Sequence, residues 1–391
     1  MPAESNPAVL APTGVARHAA AGRGVVARAG SDDGHPDRQR AWVDVDLAAL
    51  VRNAARIAAH ANRPILPMVK ADAYGLGAVP AARALEALSP WGLGVATVAE
   101  GEALRAAGIA RRIVVFTPLL RSELPRARAA GLTPALHRAD DVDAWAALGG
   151  EAWQLSIDTG MSRAGVRWDA LDGALLDAVR RHPPEGAFTH FHSADTDDAS
   201  RAEQEARFDD AIARLPARPR VLHAENSPGA ERASGGSRWD VVRPGVFVYG
   251  VSAGERLAPE PVAHLRARVV DVRDVRAGET VSYGAAWRAD GPRRIATVAA
   301  GYADGYRRSL SGRGVALLDG RRVPVAGRVT MDMTMLDVTG VPCAVGDVVT
   351  LIGRDGDAVL TVADVAARAD LSPYELLTGL RARVPHFHHD A

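Results

Sequence analysis

The sequence predicts a TIM-type α/β barrel followed by an all-β domain, and two observations carry that expectation. From Trp42 to about residue 262, short β-like runs alternate with Ala/Leu/Arg segments of helical periodicity, the pattern of parallel strands joined by crossover helices. Beyond residue 263 the long helical segments cease, and β-rich runs punctuated by glycine take over. Strand counting does not by itself separate the barrel from a doubly wound open sheet.

Residues 1–40 are rich in Ala, Gly, Arg and Pro without an apolar periodic stretch, so they read as a flexible tail holding no secretory signal core. AWVDVD (41–46) alternates like a strand and can pair with the later β domain. The barrel is expected over 41–262. Its strands are PILPMV (64–69), LGVAT (93–97), RIVVFT (112–117), TPAL (133–136), WQLSID (153–158), AFTHF (187–191), RVLHA (220–224) and VFVYG (246–250). Helices such as 47–61 and 198–215 fall between them. The β domain, 263–391, draws on 265–275, 294–300, 321–338 and 347–353.

Lys+Arg and Asp+Glu balance at 47 each, so no nucleic-acid or membrane electrostatic footprint is expected. The apolar runs are too short to span a bilayer. One cysteine, Cys343, excludes an intramolecular disulfide and suits a reducing, cytoplasmic setting. The basic residues are more informative. Lys70 is the single lysine, and the other 46 are arginine. Arginine supplies charge anywhere, but its guanidinium neither deprotonates nor forms an imine. A lone surviving lysine therefore marks a site that needs a titratable primary amine, as Schiff-base chemistry does.

Lys70 sits in VKADAYGLG (69–77), at the C-terminal end of the first expected strand, where barrel enzymes place their chemistry. Tyr74, one turn on, can reach an adjacent anion. IDTGMSRAG (157–165) follows the fifth strand and offers Arg163, a five-donor fork for a carboxylate or phenolate. THFHSAD (189–195) ends the sixth with His190; a lone strand histidine is more often a satisfied core residue. HAENSPG (223–229) and RPGVFVYG (243–250) place Asn226, Ser227, Gly245 and Val246 after strands seven and eight, where barrels often bind phosphate. In the β domain, VSYGAAW (281–287), GYADGYRR (301–308) and GRVTMDM (327–333) stand out. No constellation with metal-ligand spacing accompanies the histidines, so no metal is expected.

Taken together and in this order, these motifs resemble those of alanine racemases, fold-type III pyridoxal-phosphate (PLP) enzymes, over roughly residues 41–385. The resemblance implies a barrel plus β domain, a head-to-tail homodimer with shared sites, a PLP cofactor and a small amino-acid substrate. It implies that Lys70 holds the cofactor and is the base toward the D-isomer, and that Tyr283 of the partner subunit is the base toward the L-isomer. Both residue types titrate near 10 in solution, so neighbouring charge or burial must tune them. By the same resemblance Arg243 meets the pyridine nitrogen and His190 lies beside the ring. Arg163 serves the phenolic oxygen and substrate carboxylate, and Met331 with Asp332 are partner-chain substrate contacts. Tyr74, Asn226, Ser227, Gly245 and Val246 hold the cofactor, most of them at its phosphate.

Several positions depart from the family pattern. Ser156 stands where many relatives have a lysine that steadies the arginine equivalent to Arg163. Ala382 replaces a phosphate-binding tyrosine of some relatives. His192 and Glu225 are larger and more polar than usual, Pro228 follows the Asn-Ser pair, and Thr330 precedes Met331. Polar groups at 192 and 225 favour a substrate such as serine over alanine, if they face the pocket. The alternative activities are therefore racemisation of serine or another small amino acid, and a fold-type III decarboxylation. A lone-barrel PLP-homeostasis protein is a third reading, set against the full β domain.

Overall fold

The computed structural model describes residues 25–26, 36–196, 199–254, 256–380 and 383–390. The first barrel helix, Leu47–Ala61, shows how local chemistry sets the elements. Asp46 accepts the Ala49 N–H at its start (2.8 Å), and Asn62 closes it in the left-handed region at φ 51°. Leu47, Leu50, Ala54, Ile57 and Ala61 recur every three or four residues and are all buried against the strands.

Six parallel strands, Leu93–Val95, Ile113–Val115, Thr133–Leu136, Gln154–Asp158, Gly186–Phe188 and Val221–His223, follow one another around the barrel. Residues 64–69 and 240–244 close the ring. Leu66 N–H donates to Val242 O and Met68 N–H to Pro244 O, while Asp240 N–H donates to Leu222 O on the other side. Residues 64–69 form isolated bridges at Ile65 and Met68 in place of a full ladder, since Pro64 and Pro67 lack the donors one needs. The eighth strand expected at 246–250 is not there. That stretch is a tight run of turns (Val248 N–H to Gly245 O, Tyr249 N–H to Val246 O), and the strand lies just before it, at 240–244. The apolar run VFVYG is buried, and burial alone does not distinguish a strand from a turn packed in the core.

The second domain is a ten-stranded sheet organised on Ala263–Val275, which pairs antiparallel with Val348–Asp355 and Arg293–Val298. Ala41–Asp46 lies between that long strand (antiparallel) and His386–His389 (parallel), so the chain's first full strand belongs to the sheet. Within the leader, Val25–Val26 pairs with His388–His389, and the turn at Pro36–Arg38 offers its Asp37 carbonyl to Arg268 (3.1 Å). The remainder of residues 1–35 lies outside the described residues. Two short helices, Val362–Arg368 and Pro373–Thr378, interrupt the β pattern. No helix among the described residues is long and apolar enough to cross a membrane.

His264, on the long strand, accepts the Arg354 N–H at Nδ1 (3.0 Å). Burial, aided by Arg266, pushes it down to about 4. The folded chain thus holds His264 neutral, whereas an unfolded histidine takes up a proton near pH 6.5. The unfolded state gains protons first, so stability falls as pH drops from there toward 4. Between pH 7 and 5, wild type should lose roughly 2 kcal/mol more than His264→Gln, read from urea midpoints. Equal losses would show that His264 does not titrate on unfolding.

Candidate active site

The C-terminal ends of the barrel strands surround a cavity of about 890 Å³. Lys70, Tyr74, Arg163, His190, Asn226, Ser227, Arg243, Gly245 and Val246 all line it, so every expected barrel residue converges on one place. Tyr283, Met331 and Asp332 do not line it. They lie on the β domain of the same chain, with Tyr283 71% and Met331 52% exposed.

Lys70 opens a turn whose conformation its residue types do not foretell. Ala71, Asp72, Ala73 and Tyr74 all adopt left-handed helical angles, with φ between 53° and 57°. Each such residue costs roughly 1–2 kcal/mol in an L-amino acid. The turn is held from both ends. Glu100 accepts the Ala71 N–H (2.8 Å), Asp72 accepts the Ala78 N–H (2.7 Å), and Gly77 N–H donates to Asp72 O (2.8 Å). Strain sustained this way beside a reactive side chain is characteristic of functional sites.

Burial pulls the Lys70 amine below the ordinary lysine range; Arg163 and Arg243 push the same way, against Glu100. Arg243 is almost fully buried and fixed by His223 Nδ1 (2.8 Å), Thr189 O (2.8 Å), Ala224 O (2.9 Å) and, at greater length, His190 Nδ1 (3.4 Å). Burial lowers it to about 9, so it remains a cation at neutral pH. Because the guanidinium can only donate, His223 must accept at Nδ1, leaving Nε2 to donate to Gln154 (3.3 Å). His223 stacks on Phe188 (ring centroids 5.2 Å apart) and is pushed far below the usual histidine range by burial. His190 is likewise lowered, to about 3, by burial and then by Arg243, Arg163 and Lys70, so it presents a neutral ring.

The cavity wall around Tyr74, Ser227 and Gly245 carries neutral donors. Ser227 Oγ accepts the Gly245 and Phe247 N–H groups (2.8 and 3.2 Å), which leaves its own O–H for the cavity. Asn226 caps Gly229 (3.1 Å), and Pro228 fits the first turn of the helix Ser227–Glu231 at no cost. The Tyr74 hydroxyl lies against Gly245, where an added Cβ would come within 2.3 Å of it. Gly245→Ala should therefore displace Tyr74 and weaken retention of an anionic ligand by about tenfold, the scale of overpacking by a methyl group. Unchanged ligand affinity would show that the close approach is not needed.

The departures resolve in part. Ser156 lines the cavity, and Arg163 has no hydrogen-bond or ion-pair partner among the described residues. His192 and Glu225 do not line the cavity, which corrects the expectation that they shape a polar pocket. His192 is exposed and bonds Ser193 (2.7 Å); Glu225 is buried and accepts from Arg201 (2.5 Å). Their strands end at Phe188 and His223, so the in–out alternation no longer holds where these residues sit. Thr330 closes the turn that displays Met331 and Asp332, its hydroxyl donating to Met333 O (2.8 Å). Ala382 lies outside the described residues. His223, Phe116 and Tyr374 were missed by sequence reasoning. The first is identifiable only through its bond to Arg243, and the other two line the cavity from segments without a motif.

Residues 45–253 match the model of the alanine racemase N-terminal domain, and residues 262–388 match that of the C-terminal domain. The chain belongs to the alanine racemase family. It is 39% identical over 352 residues to the alanine racemase of Deinococcus radiodurans, covering 88% of this chain and 98% of that one. Among solved structures it resembles alanine racemase from a D-cycloserine-producing Streptomyces lavendulae, at 33% identity and a TM-score of 0.83, covering 90% of this chain and 97% of that one. The Bartonella henselae enzyme, with covalently bound pyridoxal phosphate, has a TM-score of 0.80 at 26% identity, over 90% and 99% of the two chains. The protein is accordingly an isomerase, a racemase in class.

Proposed function

We propose that the protein interconverts L- and D-alanine with PLP as cofactor, as a cytoplasmic homodimer whose two sites each draw on both chains. The observation that carries this reading is the convergence of the chain's single lysine with Arg163, Arg243 and a neutral His190 on one cavity. That donor set fits PLP. The cations suit an anionic ring and substrate carboxylate, the lone amine suits the aldehyde, and the Ser227–Gly245 cradle suits the phosphate. When bound, PLP supplies an electron-accepting ring that makes the α-hydrogen of the amino acid removable.

The protein's own residues do the rest. Lys70, its amine favoured in the free-base form by burial and Arg163, attaches the cofactor and takes or returns the proton on one face of the α-carbon. Inversion needs a second base on the other face. Tyr283 does not line this chain's cavity and is displayed outward on the turn Tyr283–Ala285, so the reading assigns it to the neighbouring subunit's cavity. Exposed Tyr302, Met331 and Met333 lie on adjoining segments: Ser282 O–H donates to Arg328 O (2.8 Å), and Tyr302 N–H to Thr330 O (3.0 Å). An apolar exposed cluster of that kind supports an interface there. Arg243 would meet the ring nitrogen with a proton it keeps, which restrains the electron sink and disfavours transamination.

His192 and Glu225 do not line the cavity, so the two residues that would have favoured serine over alanine give it no support. The half-buried, unpaired Cys343 supports a reducing compartment. Purified protein given L-alanine and PLP should form D-alanine until the two isomers are equal, followed by chiral chromatography. Release of carbon dioxide with an amine product would support the decarboxylase reading instead.

A further inference from the structure

The short helix Pro373–Thr378 reaches from the β domain over the cavity, and Ser372, Tyr374, Glu375 and Thr378 line it beside Tyr74, Ser227 and Gly245. Its position is firmly set. Leu376 and Leu377 are buried, and Arg307 donates to Glu375 O (2.9 Å). The Leu377 carbonyl abuts Gly75 so closely that a Cβ there would come within 2.8 Å of it.

Three tyrosines step outward along this wall. Tyr249 is fully buried, and its hydroxyl donates to Met68 O (2.8 Å). Tyr74 packs on it with ring centroids 4.7 Å apart, and Tyr374 packs on Tyr74 at 6.1 Å. The innermost hydroxyl is thus bonded within the protein. Those of Tyr74 and Tyr374 have no hydrogen-bond partner among the described residues, although both side chains border the cavity.

We propose that Tyr374 is a further cofactor-binding residue, its hydroxyl donating to the phosphate of PLP alongside Tyr74, Ser227 and the Gly245–Val246 backbone. The inference rests on the PLP reading above. A phosphate carries more acceptor oxygens than Tyr74 and Ser227 can serve, and no cation contributes to the environment of either phenol. A neutral donor at this end therefore carries unusual weight. Burial, with Asp195 and Glu231 nearby, pushes the Tyr374 phenol up to about 12, so it keeps the proton it would donate. At 40% exposure the ring also forms part of the cavity's rim, which a bound phosphate would tie down.

The test compares two ligands on the full-length protein. Holoenzyme, wild type and Tyr374→Phe, is dialysed against graded PLP and, separately, graded pyridoxal, with bound ligand read from visible absorbance. Tyr374→Phe should weaken PLP about tenfold and leave pyridoxal unchanged, as for one lost hydrogen bond to a charged group. Equal weakening of both ligands, or of neither, would overturn the assignment. If wild type itself retains PLP no better than pyridoxal, the cofactor reading fails, and the role of Tyr374 fails with it.

Discussion

Replacing Lys70 by arginine should remove covalent cofactor attachment altogether and lower racemisation by roughly 10³-fold or more, the scale on which loss of a principal catalytic group is felt. The substitution leaves Arg163, Arg243 and His190 in place around the cavity, so affinity for an anionic ligand should survive. What it removes is the only primary side-chain amine in 391 residues. Borohydride reduction followed by peptide mapping should label one peptide of the wild type, the one containing Lys70, and none of the variant. Covalent label retained in Lys70→Arg would place the chemistry elsewhere.

Tyr283→Phe should produce a different defect, a loss that depends on which isomer is supplied. Removing one general base lowers rate by about 10²–10⁴-fold. If Lys70 serves the D-isomer and Tyr283 the L-isomer, the variant should still exchange the α-hydrogen of D-alanine with solvent deuterium, while exchange from L-alanine falls with racemisation. The exposure of Tyr283 makes it a mild substitution for the fold, so a lost activity would report on chemistry. Equal exchange from both isomers would contradict the assignment of faces.

Much of this was readable from the residues because the signals were local and redundant. Alternating strands and helices gave the barrel, and the lone lysine at a strand end gave the cavity. Where reading failed, tertiary context had overridden local pattern. VFVYG has the composition of a strand, yet the barrel closes through 240–244 and folds the apolar run into turns. KADAY consists largely of helix formers, and its left-handed twist is held partly by Glu100, from a distant segment. His192 and Glu225 lie within two residues of His190 and Asn226, but their strands have already ended and neither lines the cavity. Tyr374 carries no motif. It reaches the cavity because the helix Pro373–Thr378 docks on the left-handed turn, which is a property of the assembled domains rather than of the neighbouring residues.

The claim that joins these pieces is that Lys70 and Tyr283 of different subunits oppose each other across one substrate. Mixing inactive Lys70→Ala and Tyr283→Phe chains tests it most directly. In a two-fold dimer, random exchange makes about half the molecules heterodimers, each with one intact site, so activity should recover to about a quarter of wild type. No recovery after verified subunit exchange would contradict the account and place both bases within a single chain.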